Sequence, residues 1–387
     1  MTMGTATSRT ILITGGGTAG HTNPGIAVAQ ALVEQGFDRD LIHFVGAARG
    51  NEGMLVGEAG FSIDLLPGRG LLRSLRPDAL LQNVGSAKDL LVGVAKAVTI
   101  LRRRRPAVVL CLGGYAAAPA SLAALVRRTP IVVSEQNARA SAVNRLVGRF
   151  AKVCALPYPD VDLPHGVLTG NPIRPAVVQA VQGLGPAEAR RALGLPEDRA
   201  VVAVWSGSLG ARRVNNAARA LAERWADRAD LALYHVVGRR DFADFVDHPH
   251  TVTAGRLIYS TVEYEDRMPE LLVSADVAIC RAGASTTAEL AVAGLPSILV
   301  PLPGAPRDHQ TANTVELATV GGAMVVTDAA LDAGGLGPIL ELLLDDRPRL
   351  DAMAAAARSV GRPDAAGRVA QILLEVGGFA GETGSGP

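Results

Sequence analysis

With 387 residues, 48% of them hydrophobic, the chain can build a large core and, at the usual domain size, two domains. A net charge of +1 supplies no field for nucleic acid, and 4% aromatics leave few rings for stacking bases or sugars. The three cysteines, Cys111, Cys154 and Cys280, match no zinc spacing and read as buried thiols of a reducing compartment; residues 1–9 carry no signal-peptide core, and no apolar run is long enough to span a bilayer.

Short apolar runs alternate with helical patterns from the start. Residues 11–14 read as a strand, followed by a glycine-rich turn and a helix from about Pro24 to Gln35. Strands are expected at 41–45, 62–66, 108–111, 131–133 and 153–155, with a helix near 51–60 and a long one from about Ala79 to Arg104. A stretch at 169–175, continuing with Gly and Pro to Pro186, reads as a linker. A second series then opens at 201–205, followed by a helix with Val214, Ala217, Ala218, Leu221 and Trp225 on one face. Its further strands are expected at 231–236, 251–253, 277–280, 297–300 and 323–326. Val369, Ile372, Leu373 and Val376 share one face of a last helix, and 377–387 reads as a disordered tail. The pattern predicts an α/β protein of two Rossmann-like, doubly wound parallel-sheet domains. Ligands of such sheets bind beyond the carboxyl ends of the strands, so two of them facing each other would enclose a central cleft.

The loops after the strands carry the chemistry. The segment 280–296 reads strand end, small-residue turn, helix, with Gly283, Ala284 and Ser285 opening the helix. Unsatisfied N–H groups and the helix dipole suit a phosphate there, and Glu289, one turn in, suits sugar hydroxyls. Thr286-x-x-Glu289 equally fits a capping box of an ordinary helix. Residues 15–20 satisfy G-x-G-x-x-G, which admits a dinucleotide oxidoreductase; the acid that would hold the ribose is missing near 44–47, though Arg49 would suit NADP. His21, just beyond that turn, fits a base on an acceptor hydroxyl or a phosphate contact. Residues 206–211 repeat the device in the second half, with Ser208 and the following backbone facing a diphosphate. Residues 112–115 form a third such loop, and 134–137 offer side chains to a sugar or to their own backbone. Asp160-Val161-Asp162 is a D-x-D in a Pro-rich stretch and reads as a solvated loop, so neither a bound metal nor a cofactor is expected.

These motifs, in this order, resemble the MurG family, the UDP-N-acetylglucosamine transferases that convert lipid I to lipid II in bacterial cell-wall synthesis. The resemblance runs from Ile11 to about Val326 through 16–21 with Pro24, 113–115, 135–137, 169–174, 206–211, 281–289, and His309, Gln310 and Asn313. It implies an inverting transferase of the GT-B fold, with an N-terminal acceptor domain over 1–172, a donor domain over 173–363, and the helix 364–376 packing back on the first. Donor contacts are implied for Ser208, Ala284, Ser285, Thr286, Glu289 and Gln310, with Glu289 on the ribose. Thr18, Ala19, Gly20, Asn137 and Arg174 match further positions that contact phosphates and sugar. His21 is the candidate base. The chain departs from the family at Ser206, Leu209, Glu265 (usually apolar, near the uracil) and His309 (usually glutamine). A related transferase with another acceptor is the alternative, and an NADP oxidoreductase or a non-catalytic membrane-recruitment protein lies further off.

Arg69, Arg73 and Arg76 flank Leu71, Leu72 and Leu75, a composition that suits an anionic membrane surface. With a lipid-linked acceptor implied, the expected place is the cytoplasmic face of the cell membrane, peripherally bound. The implied partners are UDP-N-acetylglucosamine, undecaprenyl-linked lipid I, that membrane surface and other cell-wall enzymes, and no nucleic acid.

Overall fold

The computed structural model describes residues 9–16, 19–67, 77–245, 256–331 and 333–379, with backbone alone for 19, 77–87, 333 and 334. Thr18, the basic leucine segment 69–76, the strand expected at 251–253 and residues 380–387 lie outside the described residues.

The chain divides into two compact units: one runs up to Arg174 and takes back the residues from Pro363 on, and the other is Pro175–Arg362. The first boundary thus lies after Arg174 rather than after 172, with Ile173 buried in the first unit. In chain order the first unit contains β1 (Thr10–Thr14), α1 (Ala19–Glu34), β2 (Ile42–Ala47), α2 (Glu52–Glu58), β3 (Ser62–Leu66), α3 (Pro77–Arg104), β4 (Pro106–Cys111), α4 (Ala118–Arg127), β5 (Ile131–Ser134), α5 (Ala142–Gly148), β6 (Val153–Leu156) and β7 (Gly166–Leu168). Its seven strands are parallel, in the order β3-β2-β1-β4-β5-β6-β7. Central strands such as Ile11-Leu12-Ile13 are covered on both faces, which explains their unbroken apolar character. β7 is exposed along its length and too short to show a pattern, so sequence periodicity misses it.

The second unit contains α6 (Pro175–Gly183), α7 (Pro186–Leu193), β8 (Ala200–Trp205), α8 (Arg212–Arg224), β9 (Leu231–Val236), β10 (Ile258–Val262), α9 (Met268–Ser274), β11 (Val277–Cys280), α10 (Ala284–Ala293), β12 (Ser297–Leu299), α11 (His309–Thr319), β13 (Ala323–Val325), α12 (Ala333–Leu344) and α13 (Arg347–Ser359). Its described strands all pair in parallel, in the order β10-β9-β8-β11-β12-β13. α14 (Ala365–Gly377) returns to the first unit, where Val369, Ala370, Leu373 and Leu374 join Ile11 and Ile13 in one core.

Three readings of the sequence need correction, and one strand went unread. α1 begins at Ala19, so Pro24 falls inside the helix, where it lacks the N–H for the carbonyl four residues back and its ring crowds that carbonyl. The stretch after Arg174 is helical rather than a linker, because Val177 is fully buried and α6 packs on α9. A described strand at 258–262 pairs with β9. The expected tail starts too early: the helix runs through Gly377, and Phe379 is 3% exposed, edge-on to Phe37.

Candidate functional site

In each sheet the strand order reverses direction at one point, between β1 and β4 in the first and between β8 and β11 in the second. The carboxyl ends flanking such a reversal are where doubly wound sheets bind ligands. The glycine-rich turn before His21 and the turn 112–115 follow β1 and β4; residues 206–211 and 281–286 follow β8 and β11. The fold therefore brings the motif loops together in pairs, one pair per unit.

In the second unit, α10 starts at Ala284 with Gly283 as N-cap, and no side chain caps it. Thr286 is thus the third helical residue and cannot be the cap of a Thr286–Glu289 box; Gly283, with extended backbone, occupies that position instead. The dipole end and N–H groups of Ala284, Ser285 and Thr286 remain for an anion. Ser285 Oγ is buried without a hydrogen-bond partner among the described residues, as is Ser206 Oγ at the end of neighbouring β8. Glu289 is 8% exposed and lies four residues from Ser285 and three from Thr286, on the same helix face. Asn313 Nδ2 donates to the Ala282 carbonyl at 3.1 Å, fixing the turn that leads into the helix.

α8 also opens without a side-chain cap, and its first turn holds two arginines and no acid. Cations there oppose the dipole, and each is drawn to an acid: Arg212 to Asp244 at 3.0 Å, Arg213 to Asp328 at 3.4 Å. Ser208 is exposed, and its carbonyl accepts from Arg239 N at 3.0 Å. Gly210 and Gly238 meet backbone to backbone, both at positive φ, so a side chain at either would displace the turn.

Two departures from the family acquire a physical account. Glu265 is 6% exposed and turns inward: one oxygen accepts from Tyr234 Oη, the other from Arg267 N at 2.7 Å, at the start of α9. Its charge is held by the fold. His309 donates from Nδ1 to the Pro306 carbonyl at 2.9 Å, since a carbonyl only accepts, and Nε2 is left on the other side of the ring. Gln310, beside it, accepts the Leu302 N–H at 2.9 Å. Leu209, in the turn after β8, is 62% exposed.

In the first unit His21 is the third residue of α1 and half-buried, with exposed Gly20 before it. Ala19 opens the helix. Gly114 packs on this turn, and Tyr115 Oη donates to the Arg49 carbonyl at 3.1 Å. Glu52, the first residue of α2, is 2% exposed and fills the space against Gly16 and Gly50. Sequence reading missed it, because a glutamate opening a helix looks like an ordinary dipole partner.

Residues 134–137 resolve toward their own backbone. Glu135 is fully buried; one oxygen accepts from Gln136 N and Asn137 N at 3.0 Å each, the other from Ser141 N at 2.9 Å and Asn144 Nδ2 at 2.8 Å. The same Asn144 lies under Gly113, so the loops after β4 and β5 are locked together. Asn137 is half-buried on this frame, and Arg174 is half-buried at the end of the unit. Asp160 and Asp162 are exposed in the loop between β6 and β7. Among the described residues no cluster of His, Cys, Asp and Glu is arranged to hold a metal. The three cysteines are buried and unpaired, with burial pushing the Cys111 thiol up to about 11.

Comparison with known proteins agrees with this geometry. Residues 11–156 match the glycosyltransferase family 28 N-terminal domain and residues 201–369 the glycosyltransferase family 28 C-terminal domain. The chain is 35% identical over 373 residues to the UDP-N-acetylglucosamine–N-acetylmuramyl-(pentapeptide) pyrophosphoryl-undecaprenol N-acetylglucosamine transferase of Moorella thermoacetica, covering 94% of this chain and 98% of that one. It is 39% identical over 367 residues to the enzyme of that name from a Nocardioides species, covering 95% and 98%. Among solved structures it is similar to Acinetobacter baumannii MurG, with 26% identity, a TM-score of 0.72, and 95% and 100% of the two chains covered. The UDP-GlcNAc 2-epimerase of Neisseria meningitidis bound to UDP-GlcNAc, at 15% identity and a TM-score of 0.64, shares the fold over 95% of this chain and 99% of that one.

Proposed function

Since the chain belongs to the MurG family of glycosyltransferase family 28, we propose that its two switch-point sites divide one reaction, the second unit taking the nucleotide-sugar and the first the lipid-linked acceptor. The reaction is transfer of N-acetylglucosamine from UDP-N-acetylglucosamine to the C4 hydroxyl of undecaprenyl-diphospho-muramoylpentapeptide, lipid I, giving lipid II.

The observation that carries the donor assignment is the uncapped start of α10, with the buried, unpartnered hydroxyl of Ser285 in its first turn and that of Ser206 at the end of neighbouring β8. The acceptor oxygen attacks the anomeric carbon from the face opposite the diphosphate, the bond from that carbon to the diphosphate oxygen breaks, and configuration inverts. Charge accumulates on the departing UDP, where the N–H groups opening α10 and the turn at Ser208 receive it. Glu289 accepts from the ribose hydroxyls. Gln310 and His309 face the sugar or diphosphate from α11. In the first unit, His21 takes the proton of the attacking hydroxyl, while Thr18, together with Ala19 and Gly20 at the opening of α1, holds the acceptor diphosphate. Asn137 and Arg174 contact phosphate or sugar.

We assign the membrane contact to Arg69, Leu71, Leu72, Arg73, Leu75 and Arg76, on the grounds of their composition and the lipid tail of the acceptor. No described helix is long and apolar enough to cross a membrane. The corresponding location is the cytoplasmic face of the cell membrane, where lipid I presents its head group.

Turnover of a lipid I analogue with UDP-N-acetylglucosamine, followed by release of UDP, is the direct test. A thermal shift with UDP-N-acetylglucosamine and none with NADP is expected; the reverse would favour the oxidoreductase.

A further inference from the structure

We infer that Asp328, which no sequence motif marks, is a positioning residue for donor binding: through Arg281 it ties together the chain leaving four adjacent strands. This rests on reading the second unit's site as the UDP-sugar site. Arg281 follows β11 directly, and its side chain is 12% exposed. Its Nη2 lies 2.6 Å from Asp328 Oδ1, an ion pair outside hydrogen-bond angles. Its Nη1 donates to the carbonyls of Val300 at 3.3 Å and Pro301 at 3.2 Å, just past β12. Asp328 opens the single turn Asp328–Ala330 after β13 and is 8% exposed. Its second oxygen is 3.4 Å from Arg213 Nε, in the first turn of α8, which follows β8.

One carboxylate and one guanidinium thus touch the segments after β8, β11, β12 and β13, neighbours in that order in the sheet. The uncapped start of α10 at Ala284 lies three residues beyond Arg281, and Ala282, between them, is held through its carbonyl by Asn313. A buried ion pair is a poor device for stability alone, because desolvation offsets much of the attraction. What a guanidinium adds is geometry: its planar fork fixes several acceptors at once, which a lysine ammonium does not. At the end of β11 that fork aligns the donor-binding turn against the loops on both sides, without contacting the ligand itself.

The test compares Asp328→Asn, Asp328→Glu and Arg281→Lys with the wild-type chain, measuring donor KM, acceptor KM, kcat and calorimetric affinity for UDP. Asp328→Asn keeps the shape and removes the charge. Its donor KM should rise about 10- to 100-fold, the scale on which small displacements far from the chemistry are felt. UDP affinity should fall in parallel, and acceptor KM should stay put. Asp328→Glu should recover part of the loss. A wild-type donor KM in a folded Asp328→Asn protein overturns the inference, leaving a brace for the fold alone. If Asp328→Asn does not fold, an unchanged donor KM in Arg281→Lys overturns it equally. A wild-type chain with no affinity for UDP or UDP-N-acetylglucosamine would bring down the proposed function itself, and this role with it.

Discussion

The imidazole of His21 lies against Gly114: a β-carbon at Gly114 would sit 3.7 Å from His21 Cε1 and 2.5 Å from the Gly16 carbonyl oxygen. Gly114 has φ 74 and ψ 166, a conformation essentially confined to glycine. The loop after β4 therefore packs beside the candidate base on α1. His21→Ala is expected to lower turnover at saturating substrates by about 10²–10⁴-fold, the usual contribution of a general base. Gly114→Ala should lower it by about 10²-fold through the strained loop pushing the Gly16 carbonyl away. Steady-state kinetics check both. An effect confined to acceptor KM in His21→Ala would make His21 a phosphate contact.

Glu289 is not part of a cap, because α10 has already begun five residues earlier. Glu289→Ala is expected to weaken UDP-sugar binding by about 1–3 kcal/mol, the loss of hydrogen bonds to a charged group. Calorimetry with UDP-N-acetylglucosamine decides it. Unchanged donor affinity with a lowered melting temperature would assign the carboxylate to the fold.

His235 gives the second unit a pH signature. It is fully buried, with Nε2 3.1 Å from Asn215 Oδ1 and Nδ1 2.9 Å from Tyr259 Oη. Asn215 Nδ2 donates to the Val237 carbonyl at 3.0 Å, so its oxygen faces the ring and Nε2 carries the proton. Burial, with the Arg219 charge behind it, pushes His235 down to about 3. The unfolded chain takes up this proton below about pH 6.5, whereas the folded chain does not. Stability on this account is level above that pH and declines as pH falls toward 3, by up to about tenfold in the folding equilibrium per pH unit. In His235→Gln the decline should be shallower. Denaturant midpoints at pH 7 and pH 5 should show the gap between the two proteins narrowing in acid. A constant gap would contradict this account.

For the membrane contact, Leu72→Glu with Leu75→Glu is expected to abolish flotation with anionic vesicles and leave activity on a short-chain soluble acceptor nearly unchanged. Each buried leucine contributes about 1.5–3 kcal/mol and each arginine near an anionic surface about 1 kcal/mol, so attachment should be reversible and salt-sensitive. Flotation of the double variant at low salt would refute the assignment, and so would its unfolding, which would place these leucines in the core.

The loops at the switch points were legible because small residues directly after apolar runs have few other uses. The strands β1, β4, β8 and β11 that carry them are buried on both faces, so their signal was strong. Legibility ended where function depends on partners distant in sequence. Arg281 and Asp328 are 47 positions apart and meet only through strand order. Glu265 read as an acid in an apolar seat, because nothing local reveals that Tyr234 receives it. The Thr286–Glu289 spacing imitated a cap, since three-residue spacings recur in any helix and only the backbone of Gly283 tells where the helix starts. Phe379 was lost to the two glycines before it, which look like the start of a tail when the ring's pocket cannot be seen.

α14 and Phe379 complete a core whose other walls come from residues 11–155: Arg9 donates to the Gly378 carbonyl at 2.9 Å and lies over the Phe379 ring. On the ribosome, β1 and α1 emerge first and yet cannot finish packing until this helix has been made. Pro175–Arg362, a continuous stretch, has its last residue just before this helix begins. Maturation of the two units should therefore run against the order of translation. For the interval between, the apolar face of β1 and α1 stands open, a period in which the nascent chain calls for a chaperone's cover and a stop codon only slightly too early would strand it there.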